Sequence, residues 1–212
     1  MTLFCSLGFH CQASKILIRN NIKKESYPFD WMFSNITIVK DCIENNFNKL
    51  LEQKYYIDYD KKYYNNNCGH SIYKSNLFPH RDMRLKHNYE YLIRCINRFH
   101  SLCKSNKEKI FLITIIHTNL ITKILDNLNN LRNILNKKTN NFKIVCLVFL
   151  YNKNDNDHYI EINDNIHIIY ISSTSKSNGL QFEDEKDNVY VDNILKTNYI
   201  KSNNNFNFNH AK

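Results

Sequence analysis

Three continuous apolar runs constrain the fold of this chain more than any other feature of its sequence. They cover residues 110–116, 142–150 and 166–171. Each run has the length of a β-strand, and none alternates between apolar and polar residues, a pattern typical of strands buried on both faces. Between the first two runs, residues 119–136 repeat leucine or isoleucine at helical spacing. Such a strand–helix–strand unit predicts parallel strands joined by a right-handed crossover.

The rest of the chain fits the same fold class. Residues 2–7 predict a buried strand and 11–21 a helix, while 53–76 favour a long loop or two weak strands, and 152–157 a polar turn. Helical spacing recurs in three further segments: 36–52, 87–104 and 189–200. We therefore predict an α/β fold, Rossmann-like and three-layered, with a mostly parallel sheet and helices on both faces. The strands at 2–7, 110–116 and 142–150 should lie parallel in it.

The chain is predicted to form one domain over residues 1–201, followed by an Asn-rich, disordered tail at 202–212. No apolar run approaches the ~20 residues that span a bilayer. No basic segment followed by a long apolar one marks a secretory signal. We therefore expect an intracellular protein without a membrane partner. Its seven cysteines are an odd number, so no disulfide framework is expected.

The formal charge of +9 invites a nucleic-acid partner, but the sequence argues against one. The lysines are scattered, and no run contains more than two basic residues. Lys, Asn, Ile and Tyr share A/T-rich codons, so coding bias explains their abundance. We expect a protein or small-molecule substrate instead.

The same bias makes the rare residues informative. The chain keeps three glycines, two prolines and one tryptophan, so each has a structural reason to be there. All of these except Gly179 lie in the first 80 positions: Gly8, Pro28, Trp31, Gly69 and Pro79. The functional site is therefore expected in the N-terminal third.

The turn between the first strand and the first helix is the strongest candidate. Cys11 opens the helix, where the macrodipole favours a thiolate, so it should be the most acidic thiol. Gly8 permits the tight turn, and backbone N–H groups of residues 9–12 could hold an oxyanion. Ser6 and Cys5 are competing nucleophiles, and Cys11 could equally be a small buried hydrophobe.

His80 is the favoured base for this nucleophile, because it follows Pro79 just ahead of a long helix. Asp82 could orient its ring, as carboxylates do in nucleophile–base–orienter triads. His10 is an alternative base, although neighbours at a helix start usually diverge. A surface-loop histidine is the plain alternative for His80.

Four more residues are candidates for binding: Gln12, Asp30, Trp31 and His117. Asp30 stands among aromatic residues, where it needs hydrogen bonds or lines the site. His117 ends a predicted strand. No metal-binding or phosphate-cradling motif accompanies these residues, so no metal and no cofactor are expected.

Two motifs together resemble a known family. Ser6-Leu7-Gly8-x-x-Cys11-Gln12 followed by Pro28-Phe29-Asp30-Trp31 is similar to the N-terminal signature of the "putative papain-like cysteine peptidase" family of bacteria and large DNA viruses. Phe78-Pro79-His80 and the helix 93–99 extend the resemblance over roughly residues 2–150. In the family an acidic residue directly follows the histidine, whereas here Arg81 precedes Asp82.

The resemblance implies a cysteine hydrolase or acyl-transferase with Cys11 as nucleophile and His80 as base. It also implies a papain-like α+β fold as the alternative fold class, and a host-cytoplasm or virion location if the chain is viral. Two other functions fit the residues. One is a non-covalent binding or transferase domain that holds a sugar-nucleotide or other phosphorylated ligand at Gly8. The other is a catalytically inactive viral interaction protein.

Overall fold

A computed structural model describes residues 2–59, 67–116, 123–152 and 154–200 of the chain. Two predictions therefore fall outside the described residues: the role of His117 and the disordered tail at 202–212. No helix in the described ranges is long and apolar enough to cross a membrane.

Five strands form the central sheet: β1 (Leu3–Ser6), β5 (Lys109–Ile115), β6 (Phe142–Tyr151), β7 (Asp157–Asn163) and β8 (Ile166–Ser173). Their order is β1-β5-β6-β8-β7. The first four in this order pair parallel, and β7 closes the far edge antiparallel to β8. The predicted α/β class with a mostly parallel sheet is confirmed, and so is the parallel order of the strands at 2–7, 110–116 and 142–150.

Helices cover both faces of this sheet. They are α1 (Gln12–Arg19), α2 (Ile36–Glu44), α3 (Asn48–Leu51), α4 (Lys86–Lys104), α5 (Ile124–Asn136) and α6 (Glu185–Tyr199). The apolar faces of α1 and α6 form one buried cluster with one side of the sheet. The buried residues of α2, α4 and α5 form the other. This is the predicted three-layer arrangement.

A second, smaller sheet packs on the α4 face. It consists of β2 (Tyr56–Ile57), β3 (Cys68–His70) and β4 (Lys74–Phe78), all antiparallel. The low periodicity of residues 53–76 predicts a long loop or two weak strands, whereas the structure has a sheet of three strands here. The end of β4 leads directly to His80, so this sheet positions a candidate site residue.

One element prediction is wrong, and one strand has no counterpart among the predictions. The helix predicted over 36–52 is broken, because Asn46 and Phe47 adopt left-handed backbone angles (φ 51° and 62°) between α2 and α3. The break turns the Phe47 side chain into the core, where it is 1% exposed. Strand β7 was not predicted, since an edge strand with mostly polar, exposed residues lacks the continuous apolar pattern of the inner strands.

Candidate active site

The turn after β1 is fixed by the backbone angle of Gly8 and by backbone N–H groups that donate to serine hydroxyls. Gly8 has φ +81°, and a Cβ added there would lie 2.4 Å from Ser34 Oγ and 2.9 Å from the Phe29 carbonyl oxygen. The Phe9 N–H donates to Ser34 Oγ at 3.0 Å, and the Gly8 N–H to Ser6 Oγ at 3.2 Å. A side chain at position 8 is therefore excluded both by backbone angle and by space. Ser34 fixes this turn but belongs to no motif that would identify it from the sequence.

Cys11 caps the N-terminus of α1, at the carboxyl end of the parallel strands. Its side chain is buried, and its Sγ lies 3.4 Å from Nε2 of His80 in a partly buried contact. The two groups, 69 positions apart in the chain, are thus within reach for proton transfer. The two other candidate nucleophiles, Ser6 and Cys5, have no exposed surface.

His80 is positioned by contacts on both sides of its segment. Before it, the Phe33 N–H donates to the Leu77 carbonyl at 2.9 Å and joins β4 to the segment that carries Trp31. After it, the Met83 N–H donates to Cys68 Sγ at 3.2 Å. The indole of Trp31 meets the imidazole edge-on, with centroids 6.2 Å apart. Cys68, unremarkable in sequence, therefore anchors the segment behind the histidine.

Asp82 does not orient this imidazole. Both of its carboxylate oxygens accept hydrogen bonds from the Arg84 side chain, at 2.9 and 2.8 Å. No hydrogen bond joins Asp82 to His80 within the part of the chain that the structure describes. The predicted triad role is therefore not supported by the geometry. The extra residue, Arg81, extends the segment and stacks its guanidinium on the Tyr91 ring at 4.0 Å.

Thiol and imidazole are both neutral in this arrangement. Burial, and secondarily the Asp30 charge, raises the pKa of Cys11 to about 12. Burial and the nearby Arg81 charge lower the pKa of His80 below its usual 6.5. Burial also raises the pKa values of Cys68 and Cys103, to about 11, so the geometry does not favour Cys11 as the most acidic thiol and that expectation stays a prediction. The loss of solvation on burial raises the pKa of the thiol by more than the helix N-terminus lowers it.

Asp30 lies in a buried ion pair beside this site. Its carboxylate contacts Lys23 Nζ and accepts the Tyr27 N–H at 2.8 Å. Burial raises the pKa of Asp30 while the Lys23 charge opposes the rise. The aspartate thereby fixes the segment that ends in Trp31, and its partner comes from the chain just beyond α1.

A loop after β8 closes the opposite side of the turn. Ser177 Oγ donates to Gln12 Oε1 at 2.6 Å, and Gly179 lies against the His10 ring, where an added Cβ would be 3.2 Å from Nδ1. His10 also packs on Phe33, with centroids 5.6 Å apart. Gln12 is 1% exposed, and its Nε2 has no hydrogen-bond partner among the described residues. The site therefore includes residues far outside the N-terminal third.

The N–H groups available to a developing oxyanion are fewer than predicted. Those of Gly8 and Phe9 already donate to serine hydroxyls. The cap amide at Cys11 and the first helical amide at Gln12 have no carbonyl one turn earlier in the helix to bond to. In the described ranges, no cluster of three His, Cys, Asp or Glu side chains could hold a metal ion.

Together, fold and site define an α/β protein with a thiol–imidazole pair at the carboxyl edge of a parallel sheet. The chain belongs to the family described as "Putative papain-like cysteine peptidase (DUF1796)", whose model matches residues 2–154. It is also 46% identical over 52 residues to an uncharacterised protein of Acanthamoeba polyphaga mimivirus, a stretch covering 24% of this chain and 23% of that relative. No solved structure matches the chain.

Proposed function

We propose that this protein is a cysteine-nucleophile hydrolase or acyl-transferase acting on an as yet unidentified protein or small-molecule carbonyl compound. The observation that carries the proposal is the 3.4 Å approach of Cys11 Sγ to His80 Nε2. Membership of the family described as "Putative papain-like cysteine peptidase" supports the same reaction class at a coarse level. All seven thiols are free, which suits the reducing interior of a cell and supports an intracellular location.

The proposed reaction starts from the neutral pair. The Cys11 S–H donates to Nε2, and the proton moves to the imidazole as sulfur bonds to the carbonyl carbon. The first-turn amides of α1 stabilise the oxyanion. As the tetrahedral adduct collapses, the imidazolium returns the proton to the leaving group and a thioester remains. Water or another acceptor, deprotonated by His80, then releases the acyl group and restores the thiol.

The test uses p-nitrophenyl acetate as an acyl donor. We expect a burst of p-nitrophenolate and an acetyl group on the peptide that contains Cys11. Cys11→Ala should abolish both, and His80→Gln should slow the burst by about 10²–10⁴-fold, the usual contribution of a general base. Cys103→Ala is the matched control, because this thiol is more exposed than Cys11 and its pKa is lower.

A burst that survives Cys11→Ala, or an acetyl group found on another cysteine, would rule out Cys11 as the nucleophile. An unacetylated wild type would favour the non-covalent binding function or the inactive interaction protein.

A further inference from the structure

A second cleft lies at the opposite edge of the sheet from Cys11. It encloses about 600 Å³. Three elements meet there: the end of α4 at Lys104, the residues after α5 at Lys137 and Lys138, and the turn between α2 and α3 at Asn46. The first two of these segments directly precede β5 and β6. The seven residues of β5 therefore place the cleft roughly 20 Å from the carboxyl edge, at ~3.3 Å rise per residue.

The rim of this cleft is strongly basic. Lys104, Lys137 and Lys138 all line it, and among the residues that the structure describes its lining holds no aspartate or glutamate. None of the three lysines forms an ion pair with a described carboxylate, while the Lys138 ammonium donates to Asn46 Oδ1 at 2.8 Å. The carbonyls at the two helix ends carry only about half a charge each, so they leave most of the positive charge uncompensated.

The floor of the cleft is apolar and aromatic. Ile43 and Phe99 line it, and the His100 ring packs edge-on against Phe47 and Phe99 at 5.8 and 6.4 Å. Burial first, then the charges of Lys138 and Lys104, lower the pKa of His100. The positive charges of Lys104 and Lys138 therefore act on the neighbouring imidazole and are not cancelled by nearby groups. Asn97 and Ser101 add hydrogen-bonding groups.

We infer that this cleft binds a small molecule bearing an oligophosphate group, with the phosphates on the lysines and the organic part over the His100 ring. Ammonium groups are common point-charge partners of phosphate. The volume lies within the ~300–1,000 Å³ of small-molecule sites. The site is separate from the Cys11–His80 pair and does not depend on the proposed reaction.

The test is isothermal titration calorimetry with sodium tripolyphosphate and with ATP, without added magnesium, on the full-length protein. Both should bind, and the double variant Lys104→Gln/Lys137→Gln should weaken each by about tenfold or more, since charge-assisted hydrogen bonds are lost. Both lysines are exposed. Lys186→Gln/Lys196→Gln removes the same charge from exposed positions on α6 and should leave affinity unchanged.

A local readout comes from the NMR titration of His100. A bound oligophosphate favours the imidazolium, so it should raise the pKa of His100 in the wild type but not in the lysine double variant. ATP binding tighter than tripolyphosphate supports a contact between the organic part and the His100 ring, whereas equal affinity overturns that contact and leaves a site for the phosphate chain alone. The inference is overturned if neither probe binds, or if the control variant weakens binding as much as the cleft variant.

Discussion

At the scale of single residues, the central question is where the proton of Cys11 resides. The thiol is buried beside a carboxylate and the imidazole lies beside a guanidinium, so both neighbours disfavour the charged forms. In a neutral pair the proton moves from sulfur to the imidazole while the bond to the substrate forms. In a preformed thiolate–imidazolium pair this proton has already moved, so the attack needs no proton transfer. The sequence could place Cys11 at a helix start, but burial and the position of Asp30 depend on packing.

The pH dependence of acylation follows from this neutral pair. His80 accepts a proton only when neutral, and its pKa is below 6.5, so the rate should rise with a midpoint below pH 6.5 and then stay level through pH 9. Arg81→Gln removes a positive charge that disfavours imidazolium. It should therefore raise the pKa of His80 and move the midpoint to higher pH.

The control for this shift is Arg94→Gln, an exposed arginine of α4, which should leave the midpoint in place. Acylation should also be slower in deuterium oxide, because the thiol proton is in motion. A fall in rate near pH 8–9 together with no solvent isotope effect would contradict the neutral pair.

Gly8 provides a second prediction at this scale. Gly8→Ala forces a Cβ into φ +81° and against Ser34 and Phe29, so it should destabilise the fold by about 1–3 kcal/mol. Gly179→Ala is the matched control: its φ is +87°, but the nearest atom is a side-chain nitrogen of His10 at 3.2 Å. Urea unfolding should show the larger loss at Gly8. Equal losses would mean that backbone angle alone, and not the close contacts, accounts for the glycine.

At the scale of elements, the site depends on a loop that no motif marked. Residues 174–184 join β8 to α6 and bring Ser177 onto Gln12, in the first turn of α1, and Gly179 against His10, just before that helix. Sequence reasoning placed the site in the N-terminal third because the rare residues cluster there. The same rarity argument applies to Gly179, which lies against His10 of the site.

Asp187 anchors this loop. It is 1% exposed and accepts the N–H groups of Thr174 and Ser175 at 3.1 and 2.7 Å, together with both hydroxyls. Burial opposes its ionisation, but the donors of Ser175 and Thr174 outweigh it and hold the pKa of Asp187 below its usual range. Asp187→Asn should therefore lower the free energy of unfolding at neutral pH by about 1–3 kcal/mol.

The difference in the free energy of unfolding between the wild type and Asp187→Asn should shrink as the pH falls through the depressed pKa of Asp187, below 3.8. The stabilising charge is then lost. Limited proteolysis should cut the 174–184 loop faster in the variant. Asp164→Asn serves as control, since its ion pair with Arg132 is mostly solvent-exposed and is expected to contribute less than ~1 kcal/mol. A loss no larger than the control's would show that the loop does not need its anchor.

At the scale of the whole molecule, the sequence predicted the architecture better than the details. Continuous apolar runs identify strands covered on both faces, and a helix between two of them sets the parallel direction; both features are local. The exposed edge strand β7 and the break at Phe47 are decided by tertiary packing, so periodicity did not reveal them. The pairing of Cys11 with His80 was a hypothesis from the residues and the resemblance, and no pattern in the sequence gives the 3.4 Å distance.

The family match ends at residue 154, but the fold does not. Strand β8 pairs with β6 from Ile144↔Ile166 to Tyr151↔Ser173. The α1 face of the sheet is buried by apolar side chains that follow the match: Ile169, Ile171, Phe182, Val191, Ile194 and Leu195. Arg19 of α1 also binds Asp192 of α6 through two hydrogen bonds, at 2.5 and 2.7 Å.

A chain that ends at residue 154 should therefore fail to fold. It would expose β6 as a long apolar edge and uncover Val145, Leu147 and Phe149, so size-exclusion chromatography should show aggregates and thermal unfolding should lose its cooperative transition. A chain that ends at residue 201 keeps β8 and α6 and removes only the Asn-rich segment, and it should unfold at the same temperature as the full chain. A monomeric 1–154 chain with cooperative unfolding would show that the matched segment is a domain by itself, and the residues after it would then be an addition to the site and not part of its support.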